Sequence, residues 1–134
     1  MSDYGDGRDN RGRGVEEGQA AWQRSATAFA AAVDSGRLNL PLPGSGATRE
    51  RWAAFADLAG EDLSLARLAE GHADAAAILA ELGGPRPEPG SRWGVWAANP
   101  PDPNVKATRR DNIWELHGTK QYCSGARVCT HALV

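Results

Sequence analysis

Apolar side chains recur at helical spacing over the first two-thirds of the chain and at strand-like spacing after it. In the first segment they stand three or four positions apart, at Trp22, Ala26, Phe29 and Val33. This spacing stacks them on one face and predicts a helix over residues 16–34, starting at Val15 or Glu16. Ser35 and Gly36 end it, because glycine readily takes the left-handed conformation of a helix terminus.

Two further helices are predicted, over residues 48–59 and 62–82. Thr48 is expected to cap the first of them and Gly60 to break it. Asp62 is expected to open the second. The residues predicted to face the core are Trp52, Phe55 and Leu58 in the first, and Leu65, Leu68, His72, Ala76 and Leu79 in the second.

A Pro- and Gly-rich linker at 85–90 separates the helices from runs rich in tryptophan, valine and isoleucine. Short apolar runs bounded by turn residues are typical of strands. The predicted strands span residues 92–99, 105–109, 113–117 and 130–134. The fold class is therefore α+β, with three helices followed by the start of a β-domain.

Composition divides the chain into the same parts. Residues 1–14 alternate Gly, Asp and Arg with almost no apolar side chains and are predicted to be a disordered leader. Residues 15–84 form the helical domain and residues 85–134 the start of the β-domain. The first 84 residues carry 8 basic and 13 acidic side chains, whereas the last 50 carry 7 and 4.

Several function classes are excluded by these features. A surplus of three positive charges in the last segment is too weak to indicate nucleic-acid binding. No run approaches the roughly 20 apolar residues of a membrane span, and the amino terminus has no signal-peptide core. Cys123 and Cys129 form no metal-type pair, so free thiols in a cytoplasmic protein are expected.

Three passages resemble the acyl-CoA dehydrogenase family in order and spacing. LPLPGSGA from Leu40 resembles the family's passage after its first helix. DLSLARLAEGHADAAAILAEL, from Asp62, resembles a family helix with an Asp-x-Ser start and a later histidine. NIWELHGTKQYCSGARVCTHALV, from Asn112, resembles the family run with Leu-x-Gly-x-Lys before the flavin-contacting step.

The resemblance implies an amino-terminal helical domain, a barrel-like middle β-domain and a carboxy-terminal helix bundle, with FAD between the last two. Tyr122 takes the place of the aromatic residue beside the isoalloxazine, and Ser124 that of the hydroxyl at the reactive flavin edge. The strand that ends in VWAANP stands where the family has a strand ending in Thr-Glu-Pro: Pro100 is kept, Ala98 replaces the hydroxyl residue and Asn99 replaces the acid. Contacts of Ala97, Ala98 and Asn99 to flavin are therefore expected through the backbone. The side-chain contact at Ala98 is lost, which leaves the substrate class open.

The implied activity is FAD-dependent oxidation of an acyl-CoA thioester to its enoyl form, in a protein that is homo-oligomeric when complete. The chain stops inside the apolar run THALV, so a truncated protein is expected. In the family the catalytic base lies beyond the position of Val134, and the chain alone is expected to be inactive.

Other interpretations stay open at this point. Relatives of the same fold include flavin monooxygenases, and a truncated helical module could instead bind a partner without catalysis. Tyr122 could be a core aromatic residue of a strand, with Ser124 and Gly125 in an ordinary turn. His72 is interpreted as a hydrogen-bonded core histidine, and no metal site is predicted.

Overall fold

A computed structural model describes residues 9–98 and 105–134 of the chain. Three helices precede four short strands, as the α+β class predicts. The helices are α1 (Asp9–Asp34), α2 (Thr48–Glu61) and α3 (Leu63–Glu81), and the strands are β1 (Trp93–Val95), β2 (Val105–Arg110), β3 (Ile113–Gly118) and β4 (His131–Leu133).

Helix α1 begins at Asp9, well before the predicted start at Val15 or Glu16. Residues 9–14, predicted to belong to a disordered leader, are helical in the structure, and residues 1–8 lie outside the described part. The expected boundary rested on the lack of apolar side chains. Without apolar side chains, this segment has no apolar face to pack against the core. An existing helix still gains one backbone hydrogen bond for each residue added.

Helix α2 corrects three predictions. Its N-cap is Ala47 without a side-chain hydrogen bond, Thr48 is already helical, and the helix passes Gly60 to end at Glu61. Trp52, expected inside, is 66 % exposed. At about 100° per residue, Trp52 and Leu58 lie roughly 120° apart around the helix, so both cannot face the core.

Arg51 takes the inward position that was assigned to Trp52. Its guanidinium donates to the Pro41 carbonyl at 3.1 Å and to Asp74 at 2.9 Å, and it lies 5.1 Å from the Phe55 ring centre. A charged side chain is tolerated in this place because its donors are paired.

Helix α3 starts as predicted at Asp62, whose carboxylate accepts from the backbone N–H groups of Ser64 at 2.6 Å and Leu65 at 3.3 Å. The same carboxylate accepts from the Ser25 hydroxyl of α1. The Ser25 and Ser64 hydrogen bonds hold the pKa of Asp62 below its ordinary value. This residue thus caps one helix and ties it to another.

The core lies where the three helices meet. Phe29, Leu58 and Leu65 are its largest fully buried side chains. Burial of each such side chain stabilises the fold by about 1.5–3 kcal/mol. The other buried residues of this core cluster are Ala32, Leu38, Leu68 and Ala69.

The strands form two separate pairs. β1 lies parallel to β4, with Trp93 opposite His131 and Val95 opposite Leu133. β2 and β3 form an antiparallel hairpin in which Arg110 faces Ile113 across a two-residue turn. Asp111 in that turn has a φ of 54°, the left-handed conformation that such tight hairpins require. The predicted strand over 92–99 shortens to β1.

Candidate functional site

Strand β1 is fixed against helix α3. Gly71 of α3 lies against the strand, where a Cβ would make an ordinary van der Waals contact with the Val95 nitrogen at 3.8 Å. The Trp93 backbone N–H donates to His72 Nδ1 at 3.3 Å, and the Trp93 ring stacks on His131 at 4.7 Å. This contact holds the strand that leads to Ala97 and Ala98 on a rigid helix.

Two of the segments predicted to contact flavin are brought together. The Trp96 indole Nε1–H donates to the Ser124 carbonyl at 3.0 Å. Lys120 Nζ donates to the Ala98 carbonyl at 2.6 Å. Ala97 and Ala98 therefore lie beside the turn that carries Tyr122 and Ser124.

Tyr122 is the most unusual backbone position in this turn. Its φ is 58°, a left-handed conformation that is uncommon for a residue with a bulky side chain. Its side chain belongs to no strand and is 68 % exposed, so the alternative of a core aromatic residue is wrong. Ser124 is also exposed. Strain of this kind persists where the surrounding structure fixes the backbone.

The turn is anchored beneath by Gly125 and Cys129. Gly125 has a φ of +76°, and a Cβ at this position would lie 2.6 Å from Leu68 Cδ2 on α3. The same Cβ would lie 3.3 Å from the sulfur of Cys129. Cys129 and Cys123 are both free thiols. Burial raises the pKa of the Cys129 thiol, with nearby Arg92 opposing the shift, so the thiol is favoured over the thiolate.

One predicted contact residue, Asn99, lies outside the described residues. Sequence reasoning missed Trp96, whose indole ties the two segments together. Nothing local in the sequence indicates this role, because its partner is 28 positions away. Lys120 is the lysine of the Leu-x-Gly-x-Lys run, and its side chain joins this run to Ala98.

This arrangement offers an exposed aromatic ring and an exposed hydroxyl side by side, held on a packed base. The Ala98 and Ser124 carbonyls already accept hydrogen bonds from Lys120 and Trp96. A ligand would therefore meet the Tyr122 ring and the Ser124 hydroxyl more readily than these two carbonyls. An aromatic wall with a nearby donor suits a flat, hydrogen-bonding ring such as isoalloxazine.

None of the known families, curated proteins or solved structures compared with the chain matches it. Over residues 9–98 and 105–134, no helix is both long enough and apolar enough to cross a membrane. The same residues bring no three metal-ligating side chains together.

Proposed function

We propose that this chain forms the flavin-facing part of an acyl-CoA dehydrogenase-like oxidoreductase. In this proposal FAD packs against the Tyr122–Ser124 turn and the adjoining backbone of Ala97 and Ala98. The helical unit is its amino-terminal domain, and the strands begin the barrel-like middle domain of a cytoplasmic homo-oligomer. Its substrate class is acyl-CoA thioesters, oxidised at a CH–CH bond.

The juxtaposition of the two segments carries the proposal. The bonds from Lys120 to Ala98 and from Trp96 to Ser124 join residues 22 and 28 positions apart. The resemblance to the acyl-CoA dehydrogenase family, without any structure, predicts that these two segments contact the same cofactor. The exposed, strained Tyr122 between them supports a binding role, because such strain clusters at functional sites.

Each side chain has a distinct task in this proposal. The Tyr122 ring supplies a packing wall, and the Ser124 hydroxyl donates a hydrogen bond toward the edge where negative charge grows during reduction. One such bond contributes about 1–3 kcal/mol when its loss leaves a buried group unsatisfied. Bound FAD would supply the hydride-accepting chemistry. In the resemblance the base that removes the α-proton lies beyond Val134.

An FAD titration of the purified chain tests the proposal. FAD fluorescence should be quenched saturably on binding, because an adjacent aromatic ring quenches the flavin. Tyr122→Ala should weaken binding about threefold to tenfold, the effect of losing roughly 0.5–1.5 kcal/mol of aromatic packing.

Trp52→Ala is the matched control, since Trp52 is an aromatic residue on α2 with an exposure of 66 % against 68 % for Tyr122. The control should leave FAD affinity unchanged. Equal losses in both variants, or the absence of saturable binding, would contradict the proposal.

A second candidate function is binding of a protein partner by the helical unit. It is favoured by the exposure of Trp52, at 66 %, in a largely apolar cleft that includes Phe55 and Ala59. Leu63, at the start of α3, is also 76 % exposed. Large exposed apolar side chains in one place are typical of interaction sites. Under this alternative the Trp52→Ala variant loses its partner while Tyr122→Ala keeps it.

A further inference from the structure

A cleft of about 610 Å³ opens on the helical unit, between the end of α1, the middle of α3 and residues 86–91. We call it the His72 cleft. Among the described residues that line it are Val33, Asp34, Leu38, His72 and Ala76. The Tyr122–Ser124 turn does not line it, so any ligand here is independent of the flavin proposal.

His72 presents a hydrogen-bond donor in this cleft. The residue is only 6 % exposed, and its Nδ1 accepts the Trp93 backbone N–H, so the neutral ring carries its hydrogen on Nε2. No partner for Nε2 occurs in residues 9–98 and 105–134. Since no fully buried side-chain nitrogen lacks a partner there, Nε2 reaches accessible space, and the cleft is the large cavity that His72 lines.

The wall beside this donor is aliphatic. Val33 and Leu38 contribute branched side chains, while Ala73 and Ala76 leave room above helix α3 because their side chains are small. A donor set in an aliphatic wall suits a ligand with one acceptor oxygen and a short hydrocarbon chain.

The rim of the cleft carries an excess of negative charge. Among the described lining residues, Asp34 and Glu88 are acidic and only Arg86 is basic. None of the three forms an ion pair with another described residue. Asp34 Oδ1 lies 3.6 Å from the Cβ position of Gly90, which places the carboxylate where α1 meets the 86–91 segment.

We propose that the His72 cleft binds small aliphatic amines that carry a carbonyl oxygen. The oxygen accepts from His72 Nε2–H, the aliphatic chain packs on Val33 and the α3 alanines, and the ammonium group faces Asp34. An anionic group on the ligand is disfavoured by the negative rim.

A titration of the isotopically labelled full chain with L-leucinamide, followed by NMR, tests this proposal. Leucinamide has the carbonyl, the branched chain and the ammonium group. Two comparison ligands each change one group: 4-methylpentanamide lacks the amine, and L-leucine replaces the amide by a carboxylate. Saturable shifts are expected at the His72 imidazole Nε2–H and at the Ala73 and Ala76 amides, with leucinamide binding most tightly.

Asp34→Asn separates the contribution of the rim from that of the wall. The variant should weaken leucinamide binding about two- to fivefold, the range of one exposed charge pair, and leave 4-methylpentanamide unaffected. Asp57→Asn on α2 is the control for the loss of one surface charge, since Asp57 does not line the cleft, and should change neither ligand. An acidic residue at the end of α1 opposes the helix dipole, so Asp34→Asn should not harm folding.

Three results would overturn the proposal: shifts that do not saturate, saturable shifts confined to other surfaces, or leucine binding as tightly as leucinamide. An equal effect of Asp34→Asn and Asp57→Asn would also overturn it. The flavin proposal would be untouched by any of these results, because its residues lie elsewhere.

Discussion

Replacing Gly125 by alanine tests whether the candidate flavin turn is docked on helix α3. Two costs combine in this variant. The φ of +76° places an alanine in the left-handed region, at about 1–2 kcal/mol. The new Cβ would also lie 2.6 Å from Leu68 Cδ2, and overpacking of this kind costs about 1–3 kcal/mol.

The Leu68 methyl group is the end of a flexible side chain and can shift, so the lower part of the packing range applies. We expect Gly125→Ala to lower the free energy of unfolding by about 2–4 kcal/mol in total. Urea denaturation followed by tryptophan fluorescence and circular dichroism measures this change. The variant should also weaken FAD binding, because the strained backbone next to Ser124 must move.

Gly46→Ala is the matched control. Gly46 has a φ of +90°, but nothing lies within 4 Å of its added Cβ, so the variant reports the backbone cost alone. A Gly125→Ala loss no larger than that of Gly46→Ala would refute the contact between the turn and Leu68.

Four further outcomes are expected. Phe29→Ala should lower the free energy of unfolding, measured by urea denaturation, by about 3–5 kcal/mol, because it empties the centre of the core. Asp62→Ala should lower it by less. Below the ordinary carboxyl range, the urea midpoint of Asp62→Ala should also depend less on pH than that of the parent protein. The His72 contribution to stability should be constant above pH 6.5 and fall below it, because burial lowers the pKa of His72 in the folded state and the unfolded chain then binds more protons. His72→Gln should flatten this dependence. The chain alone should show no acyl-CoA-dependent dye reduction, since removal of the α-proton needs a positioned base.

The pH dependence of Asp62 has the opposite physical origin to that of His72. Hydrogen bonds from Ser25 and Ser64 lower its pKa, so its contribution is present above the ordinary carboxyl pKa and is lost as pH falls through the folded value. Unfolding curves measured across the acid range should show this loss in the parent. A parent and an Asp62→Ala variant with the same acid profile would contradict it.

Local signals in the sequence predict most of the elements. The Asp62 cap and the end of α1 before Gly36 each depend on neighbouring residues, and each lies where expected. The predicted strands over 105–109 and 113–117 also occur, each one residue longer. Trp52 was misassigned because an apolar side chain was given priority over helical phase. Arg51, Phe55 and Leu58 fit one face within about 60°, a pattern that the sequence does contain.

The candidate site depends on contacts between distant positions. The sequence singles out Tyr122 and Ser124 but gives no sign that Tyr122 adopts a left-handed φ. The bonds from Trp96 and Lys120 accompany the packing of strand β1 on α3, where the Trp93 backbone N–H donates to His72 Nδ1. Such non-local geometry cannot be derived from periodicity or turn chemistry.

Mapping FAD on the chain by amide chemical-shift perturbation tests the central claim most directly. The account predicts saturable shifts concentrated at Ala97, Ala98, Tyr122 and Ser124, with the outer faces of α1 and α2 unaffected. Shifts confined to the helical unit, or no saturable shift at all, would contradict a flavin-facing role for this turn.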